Sequence, residues 1–246
     1  MKSFNRIRKL NQVVSETIDE LGISNIVVAD VATDHGYLAE LLSRNDKISK
    51  VFATDISQKC LDKTNELKEK FNLRKIETRL GDGLEPIDRA DVTILSGIGG
   101  YEIIRILDNQ NVCENKQNKC NVFVLQPSKN AEDLRLWIID KNVEIVRDFI
   151  VFSGGKYYPI IVVNFMKKSN TEKSIFNVYF GKSNSFENFD FIGYLKDLIM
   201  RMNFLEKMDY EEIKSSNDLK TKFEIFNLAK KIINKAKGEW KCLKKF

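Results

Sequence analysis

Two aspartates and the only histidine of the chain, Asp30, Asp34 and His35, fall within one short stretch. The apolar run 26–29 precedes them, and Gly36 and a helical pattern of leucines follow. This order of residues predicts a strand, a tight acidic turn and the start of a helix. Two carboxylates and an imidazole at such a turn can bind a positively charged ligand or move a proton.

The composition of this turn does not suit a dinucleotide. A pyrophosphate site needs the spacing G-x-G-x-x-G, in which glycine backbone approaches the phosphates. The stretch from Asp30 to Gly36 has one glycine and two carboxylates, and carboxylates repel a pyrophosphate. A nicotinamide-dependent dehydrogenase is therefore disfavoured. S-adenosylmethionine fits better, because it carries an ammonium and a sulfonium but no phosphate.

Other polar residues follow the later apolar runs. Strand and helix patterns alternate five times, and these strands are apolar on both faces, which predicts parallel strands covered by helices on both sides. The segments 144–152 and 158–165 predict an antiparallel ribbon. The expected fold class is α/β, a Rossmann-like doubly wound sheet with an antiparallel last strand. Ligands bind such sheets beyond the carboxyl ends of the strands. The residues expected at that edge are Asp30, Asp55, Asp82, Gly97 and Gln126.

The strand-end carboxylates can divide an S-adenosylmethionine site between them. Asp30 or Asp34 would accept from the amino group, while the N-terminus of the next helix faces the carboxylate. Asp55 lies 19 residues beyond Gly36, a position from which a carboxylate accepts both ribose hydroxyls. Asp82 would accept from the adenine amino group.

His35 has two interpretations. A lone histidine suggests a general base. Its place beside the cofactor turn favours instead a ring nitrogen that bonds backbone or ligand, so we expect cofactor support, with a catalytic base as the lesser alternative. Asp34 is the expected N-cap of a helix over 36–44.

The remaining segments predict helices at both ends of the chain. Residues 4–21 have helical spacing and end before Gly22. The polar segment 109–121 predicts a loop, and 167–188 predicts a connection with little core. Two helices with an apolar seam follow, which is typical of an antiparallel helical hairpin.

The composition limits the partners and the compartment. The formal net charge is +5, and residues 167–246 hold 17 Lys and Arg against 11 Asp and Glu. A basic tail suggests an anionic partner, with a solvated helical face as the alternative. The four cysteines form no Cys-x-x-Cys pair and accompany one histidine, so free thiols and no metal are expected. The chain shows no signal peptide and no apolar run long enough for a membrane, which favours a cytoplasmic protein.

Five motifs occur in a fixed order along the chain. They are Asp30-x-Ala32-x-Asp34-His35-Gly36-Tyr37-Leu38, Gly81-Asp82-Gly83-Leu84, Ser96-Gly97-Ile98-Gly99-Gly100, Leu125-Gln126-Pro127-Ser128 and Gly155-Lys156-Tyr157-Tyr158. Together they resemble the bacterial tRNA (adenine-N1)-methyltransferases that act on adenine 22, the TrmK family. The resemblance covers roughly residues 5–165. It implies a class I S-adenosylmethionine-dependent methyltransferase domain over 1–166 and a coiled-coil-like helical domain over 167–246.

The chain departs from the family pattern at several positions. Glycine is expected at position 32 and asparagine at position 128, where this chain has Ala32 and Ser128. Ala32 is still small, so cofactor binding is expected to survive. Ser128 changes the polar group that would meet the target base.

The resemblance and the strand-end argument together give the expected site. The residues expected beside the transferred methyl group or the target base are Tyr37, Ile98 and Ser128. The residues expected to bind the cofactor are Asp30, Ala32, Asp34, His35, Gly36, Asp55, Ile56, Asp82, Gly83 and Gly97. The residues expected to contact tRNA are Arg6, Arg8, Lys9, Gly99, Gly100, Pro127 and Tyr157, together with the tail lysines Lys230, Lys231, Lys235 and Lys237. The cofactor is S-adenosylmethionine, the product S-adenosylhomocysteine and the partner tRNA, and a monomer is favoured.

The leading hypothesis is methyl transfer from S-adenosylmethionine to N1 of adenine 22 in tRNA. One alternative is a methyltransferase with a different substrate. The other is a non-catalytic module that binds S-adenosylmethionine or RNA, which predicts cofactor binding without turnover.

Overall fold

The structure, a computed structural model, describes residues 2–109 and 122–243. The strands of this part are β1 (Ile26–Val31), β2 (Ile48–Asp55), β3 (Ile76–Leu80), β4 (Val92–Ser96), β5 (Val122–Gln126), β6 (Val143–Ser153) and β7 (Lys156–Lys168). They form one sheet in the order β3-β2-β1-β4-β5-β7-β6. The first five strands are parallel, and β7 runs antiparallel to β5 and β6. The predicted doubly wound sheet with an antiparallel last strand is confirmed.

Helices cover the sheet and form the C-terminal tail. The α-helices of the described residues are α1 (Lys2–Leu21), α2 (Tyr37–Ser43), α3 (Gln58–Lys70), α4 (Gly100–Asn109), α5 (Ala131–Asp140), α6 (Phe189–Arg201), α7 (Tyr210–Lys214) and α8 (Asn217–Leu243). A π-helix, Phe176–Phe180, and a 3₁₀ turn, Asn203–Lys207, lie in the tail. No helix of this part of the chain is long and apolar enough to cross a membrane.

The sheet is buried on both faces because its strands alternate apolar side chains between two layers. In β1, Ala29 and Val31 lie in one layer with Leu95, while Val28 lies in the other with Ile94. The continuous apolar runs seen in the sequence are therefore explained by two cores that share one sheet.

The strand order places a crevice beside β1. The neighbours of β1 are β2 on one side and β4 on the other, so successive crossovers turn in opposite directions there. Ligands bind α/β sheets at this reversal, outside the carboxyl ends of the strands. The acidic turn after β1 lies at that position.

The structure differs from the sequence prediction at the start of α2. Helix α2 begins at Tyr37 and its N-cap is Gly36, with φ of 70° and no side-chain cap bond, so the prediction that Asp34 caps this helix is wrong. The predicted loop 109–121 begins at Asn109, which is the last residue of α4. The rest of that segment lies outside the described residues.

The prediction of little core over 167–188 is also wrong. Val178 and Phe180 of the π-helix are buried. Arg135 of α5 donates to the carbonyl oxygens of Val178 (3.2 Å) and Tyr179 (3.4 Å). The segment therefore joins the tail to the sheet by buried contacts.

The two long tail helices, α6 and α8, pack against each other as predicted, with α7 and the 3₁₀ turn between them in sequence. Their apolar seam includes Leu195, Ile225 and Ala229, and it also includes Ile150 of β6. The proposed domain division after residue 166 falls inside β7, which continues to Lys168. Division into two domains stays a prediction.

Candidate active site at the carboxyl ends of the strands

The turn after β1 has a strained backbone. Ala32 and Asp34 have positive φ angles of 58° and 54°, although neither is glycine. A left-handed conformation costs a residue with a Cβ atom about 1–2 kcal/mol. The Asp55 carboxylate supports this conformation, because it accepts from the backbone N–H groups of Asp34 (3.2 Å) and Ser57 (2.9 Å). The turn thereby brings its carboxylates over the end of β1.

Asp30 is the buried carboxyl of the site, with 2% of its surface exposed. It accepts from the Thr33 hydroxyl (2.7 Å) and from the backbone N–H of Ala39. Burial raises the pKa of Asp30 from 3.8 to about 6, and these hydrogen bonds and the nearby Arg6 oppose that rise. A cationic ligand beside Asp30 would favour its charged form.

Two adjacent cavities lie over the ends of β1, β2 and β4. The larger has a volume of about 320 Å³, and its lining includes Asp30, Thr33, Asp34, His35, Tyr37 and Gly97. The smaller has about 90 Å³ and is lined in part by Ile56, Asp82, Gly83 and Ile106. Ala32, Asp55 and Ile98 line both. Asp55 therefore stands at the junction, where a ribose between an amino-acid part and an adenine would lie.

Asp82 already has a cationic partner. Arg105 of α4 donates to both of its carboxylate oxygens, at 2.7 and 2.9 Å, and this bidentate contact lowers the pKa of Asp82 below its usual value. The adenine role of Asp82 stays a prediction, and its carboxylate would have to share its lone pairs with Arg105. The sequence did not indicate Arg105, because a helical residue 23 positions away carries no motif.

His35 is held by its two neighbours at the surface of the site. Its Nδ1 lies 2.8 Å from the Asp34 carboxylate and its Nε2 lies 2.9 Å from the Lys63 ammonium. Its ring also stacks parallel to Tyr37, with 5.8 Å between centroids. Because both ring nitrogens are engaged, the geometry favours support of the turn over proton transfer.

A third cavity, of about 380 Å³, adjoins the first at Arg6 and Gly97. Its lining is completed by Gln126, Ser128, Gly154, Lys156 and Tyr158. The Arg6 guanidinium donates to Gln126 Oε1 and lies 5.8 Å from the Tyr158 ring centroid. Gly97 has φ of 81°, and a Cβ atom on it would lie 3.7 Å from Arg6. Arg6, expected to contact phosphates outside, thus lies inside the site.

The glycines after β4 have different surroundings. Gly97 lines two cavities, whereas a Cβ atom at Gly100 would clash with the backbone of Asn130. A Cβ atom at Gly99 would lie 3.2 Å from the Lys129 side chain. The backbone N–H of Gly100 donates to the Lys129 carbonyl (2.8 Å), and that of Ser128 donates to the Ile98 carbonyl (2.8 Å). Gly99 and Gly100 therefore join two loops of the site.

The remaining residues expected to contact tRNA do not line the first cavity. Pro127 and Tyr157 line a fourth cavity of about 500 Å³, which also includes Ser128. Arg8 and Lys9 are on α1 and are absent from the linings of the four cavities described, and Lys9 donates to Gln12 Oε1 (3.1 Å). In the described part of the chain, no cluster of His, Cys, Asp or Glu could hold a metal ion.

Residues 8–161 match a family model described as a methyltransferase domain, so the chain belongs to the methyltransferase-domain family. The tRNA (adenine(22)-N(1))-methyltransferase of Bacillus subtilis is 30% identical over 150 residues, which are 60% of this chain and 62% of that protein. The match thus spans less than two thirds of this curated relative.

Solved structures extend the likeness along the chain. The structure of M. capricolum TrmK in complex with S-adenosylhomocysteine has a TM-score of 0.70 and 27% identity, and the match covers 94% of this chain and 96% of that one. The tRNA methyltransferase TrmK of B. subtilis has a TM-score of 0.70 at 24% identity, covers 89% and 96% of the two chains, and supports the fold. The resemblance indicated by the five motifs is confirmed.

Proposed function

We propose that this protein transfers a methyl group from S-adenosylmethionine to N1 of adenine 22 in tRNA. The observation that carries the proposal is that two cavities adjoin at Arg6 and Gly97, which line both of them. One cavity has the carboxylates that a cationic methyl donor needs, and the other is large enough for a base. Relatives named for this reaction, and a neighbour that holds S-adenosylhomocysteine, support the same assignment.

The residues present fit S-adenosylmethionine. Asp30 is a buried carboxyl, and burial raises its pKa to about 6 despite two hydrogen bonds and the nearby Arg6, so the donor's ammonium would further stabilise its charged form. Asp55, at the junction of two cavities, would accept from the ribose hydroxyls. Ile56 and Gly83 line the small cavity, which suits a flat adenine ring. When bound, S-adenosylmethionine supplies a methyl group already activated by its sulfonium.

The chain's own residues contribute position rather than a proton acceptor. N1 of an adenine has a lone pair once its Watson–Crick edge is free, so no general base is required, and a proton can leave N6 afterwards. The base must be flipped out or unpaired to enter the third cavity. Gly97 allows close approach to the methyl group, and Ser128, Arg6 and Tyr158 surround the base. Orientation of the two reactants therefore supplies much of the catalysis.

The partner is tRNA, and the basic tail is the expected electrostatic contact. Some tail lysines have other contacts: Lys230 pairs with Glu206, and Lys235 lies 5.4 Å from the Phe186 ring centroid. The side chain of Lys237 lies outside the described residues. We infer that the protein acts in the cytoplasm as a monomer.

The test uses labelled S-adenosylmethionine and unmodified tRNA, followed by mapping of reverse-transcription stops. The expected result is label in the tRNA and a new stop at adenine 22, because methylation blocks the Watson–Crick edge. Label at another position would show a different substrate. Cofactor binding without label in any RNA would favour the non-catalytic alternative.

A further inference from the structure

The fourth cavity extends the site towards the helical tail. It lies between the loop after β5, the start of β7 and helix α6. Its volume of about 500 Å³ is in the range of sites that hold small organic ligands. The lining residues that bear on a ligand are Pro127, Ser128, Glu132, Lys156, Tyr157 and Tyr194.

Ser128 and Lys156 line both this cavity and the third cavity. A strand of RNA with one base in the third cavity would therefore pass these two side chains with its next phosphodiester. A hydroxyl and an ammonium are groups that bind phosphate oxygens. Lys156 is exposed, and no carboxylate of the described residues forms an ion pair with it.

The interior of the fourth cavity suits a base rather than a plain anion. Tyr157 and Tyr194 form an edge-to-face pair with 5.8 Å between ring centroids, and Pro127 adds apolar surface. Aromatic rings of this kind stack on bases. Glu132 places a carboxylate in the lining, where it can accept from the amino group of a base, whereas the Asp197 carboxylate pairs with Arg201 (3.1 Å).

We propose that the fourth cavity binds the nucleotide next to the target adenine, with the connecting phosphate at Lys156. This inference rests on the proposed function, since it identifies how the same site grips its RNA. It places the expected tRNA contact of Tyr157 one nucleotide away from the target base. It also gives α6 a direct part in RNA binding.

The first test replaces Lys156 by alanine and measures kcat/KM on tRNA. Lys168→Ala is the matched control, because it removes the same charge from the opposite end of β7. Losing one charge-assisted contact should lower kcat/KM roughly tenfold in Lys156→Ala and leave Lys168→Ala within about twofold of wild type. Equal values for the two variants would overturn the proposal.

The second test changes the RNA and keeps the protein intact. A neutral methylphosphonate is placed at each phosphate that flanks adenine 22 in turn. At one of the two positions the wild type should lose roughly tenfold in kcat/KM, and Lys156→Ala should lose no more than about twofold. If the methylphosphonate lowered kcat/KM by the same factor in Lys156→Ala as in the wild type, a contact between this phosphate and Lys156 would be contradicted.

A binding measurement separates this proposal from the proposed reaction. RNA affinity, measured by fluorescence anisotropy without the methyl donor, should fall in Lys156→Ala and not in Lys168→Ala. If the wild type bound tRNA but did not methylate it, the proposed reaction would be refuted. The difference in RNA affinity between Lys156→Ala and Lys168→Ala would still show whether the fourth cavity binds RNA. If the wild type methylated tRNA normally and the two variants had equal RNA affinity, only the proposed subsite would be refuted.

Discussion

Two groups of charged residues in this molecule are arranged in opposite ways. Between helix α5 and strand β6, Arg135 and Asp148 form a buried bidentate pair at 2.8 and 2.9 Å, with side-chain exposures of 2% and 0%. At the strand ends, the hydrogen-bond donors to Asp30 are neutral, and Asp55 accepts from backbone N–H groups while it lines two cavities. The charges of Arg135 and Asp148 neutralise each other within the fold, whereas the carboxylates at the strand ends can still bind a cationic or hydroxyl-bearing ligand.

The difference follows from what each group does. Arg135 also donates to carbonyl oxygens of the π-helix, and the backbone carbonyl of Asp148 accepts from the Ser183 N–H (3.0 Å), so these two residues join the tail to the sheet. A buried pair satisfied in this way has no capacity for a ligand. Asp30 and Asp55 have that capacity. Charge that is compensated inside the fold therefore indicates structure, and charge left uncompensated in a cavity indicates a binding site.

The largest expected effect is the loss of the buried pair. In Asp148→Ala the Arg135 guanidinium stays buried without its carboxylate, so the free energy of unfolding should fall by about 3–5 kcal/mol. Urea denaturation followed by circular dichroism measures it. The double variant Arg135→Met with Asp148→Leu should recover most of the loss, because it removes both charges. A loss below about 1 kcal/mol in Asp148→Ala would show that the pair does not fix the tail.

A smaller effect is expected from Asp30, and it depends on pH. Its folded-state pKa of about 6 lies above its usual 3.8, so protonation favours the folded state. Without ligand, this group should lower the free energy of unfolding by about 2 kcal/mol as the pH rises from 4 to 7. Arg6 on α1 and Asp55 on β2 are the charged groups that face it, with opposite effects.

The comparison variant is Asp30→Asn, which cannot titrate. Denaturation at a series of pH values should show the wild type losing stability relative to this variant between pH 4 and 6. Parallel pH profiles for the two proteins would contradict an uncompensated carboxyl at the end of β1.

The smallest effect concerns the strain of the acidic turn. Ala32 has φ of 58°, so Ala32→Gly should raise the free energy of unfolding by about 0.5–1 kcal/mol. Ala39→Gly is the control within α2, where glycine should destabilise the helix by about 1 kcal/mol or more. Thermal melts of both variants measure the two effects. If both variants lost stability equally, strain at position 32 would be refuted.

Much of the fold could be predicted, because β1, β4 and β5 are short apolar runs that are followed by turn residues. The antiparallel ribbon expected over 144–152 and 158–165 is found as β6 and β7, which extend beyond those ranges at both ends. The segment 167–188 was misjudged because its short apolar stretch, residues 175–180, is flanked by long polar stretches and is held by Arg135 from a distant helix.

The site was only partly predictable for a related physical reason. Motifs mark the residues of a strand end, and the carboxylates of the first two strands lie together as expected. The motifs do not show which long side chain from another helix or strand enters the site. Arg6 from α1 and Arg105 from α4 enter the site over long sequence distances, and only the folded structure brings them there.

Calorimetric titration of S-adenosylmethionine into the wild type and Asp55→Ala tests the central claim most directly. Asp55 is expected to accept from two ribose hydroxyls, so its loss should weaken binding by about 100-fold or more. Asp62→Ala is the matched control, since it removes an exposed carboxylate from α3 that bonds only Gln58 among the contacts described. The account predicts wild-type affinity in the control and a loss in Asp55→Ala, whose circular dichroism spectrum should remain that of a folded protein. Equal affinity in all three proteins would contradict it.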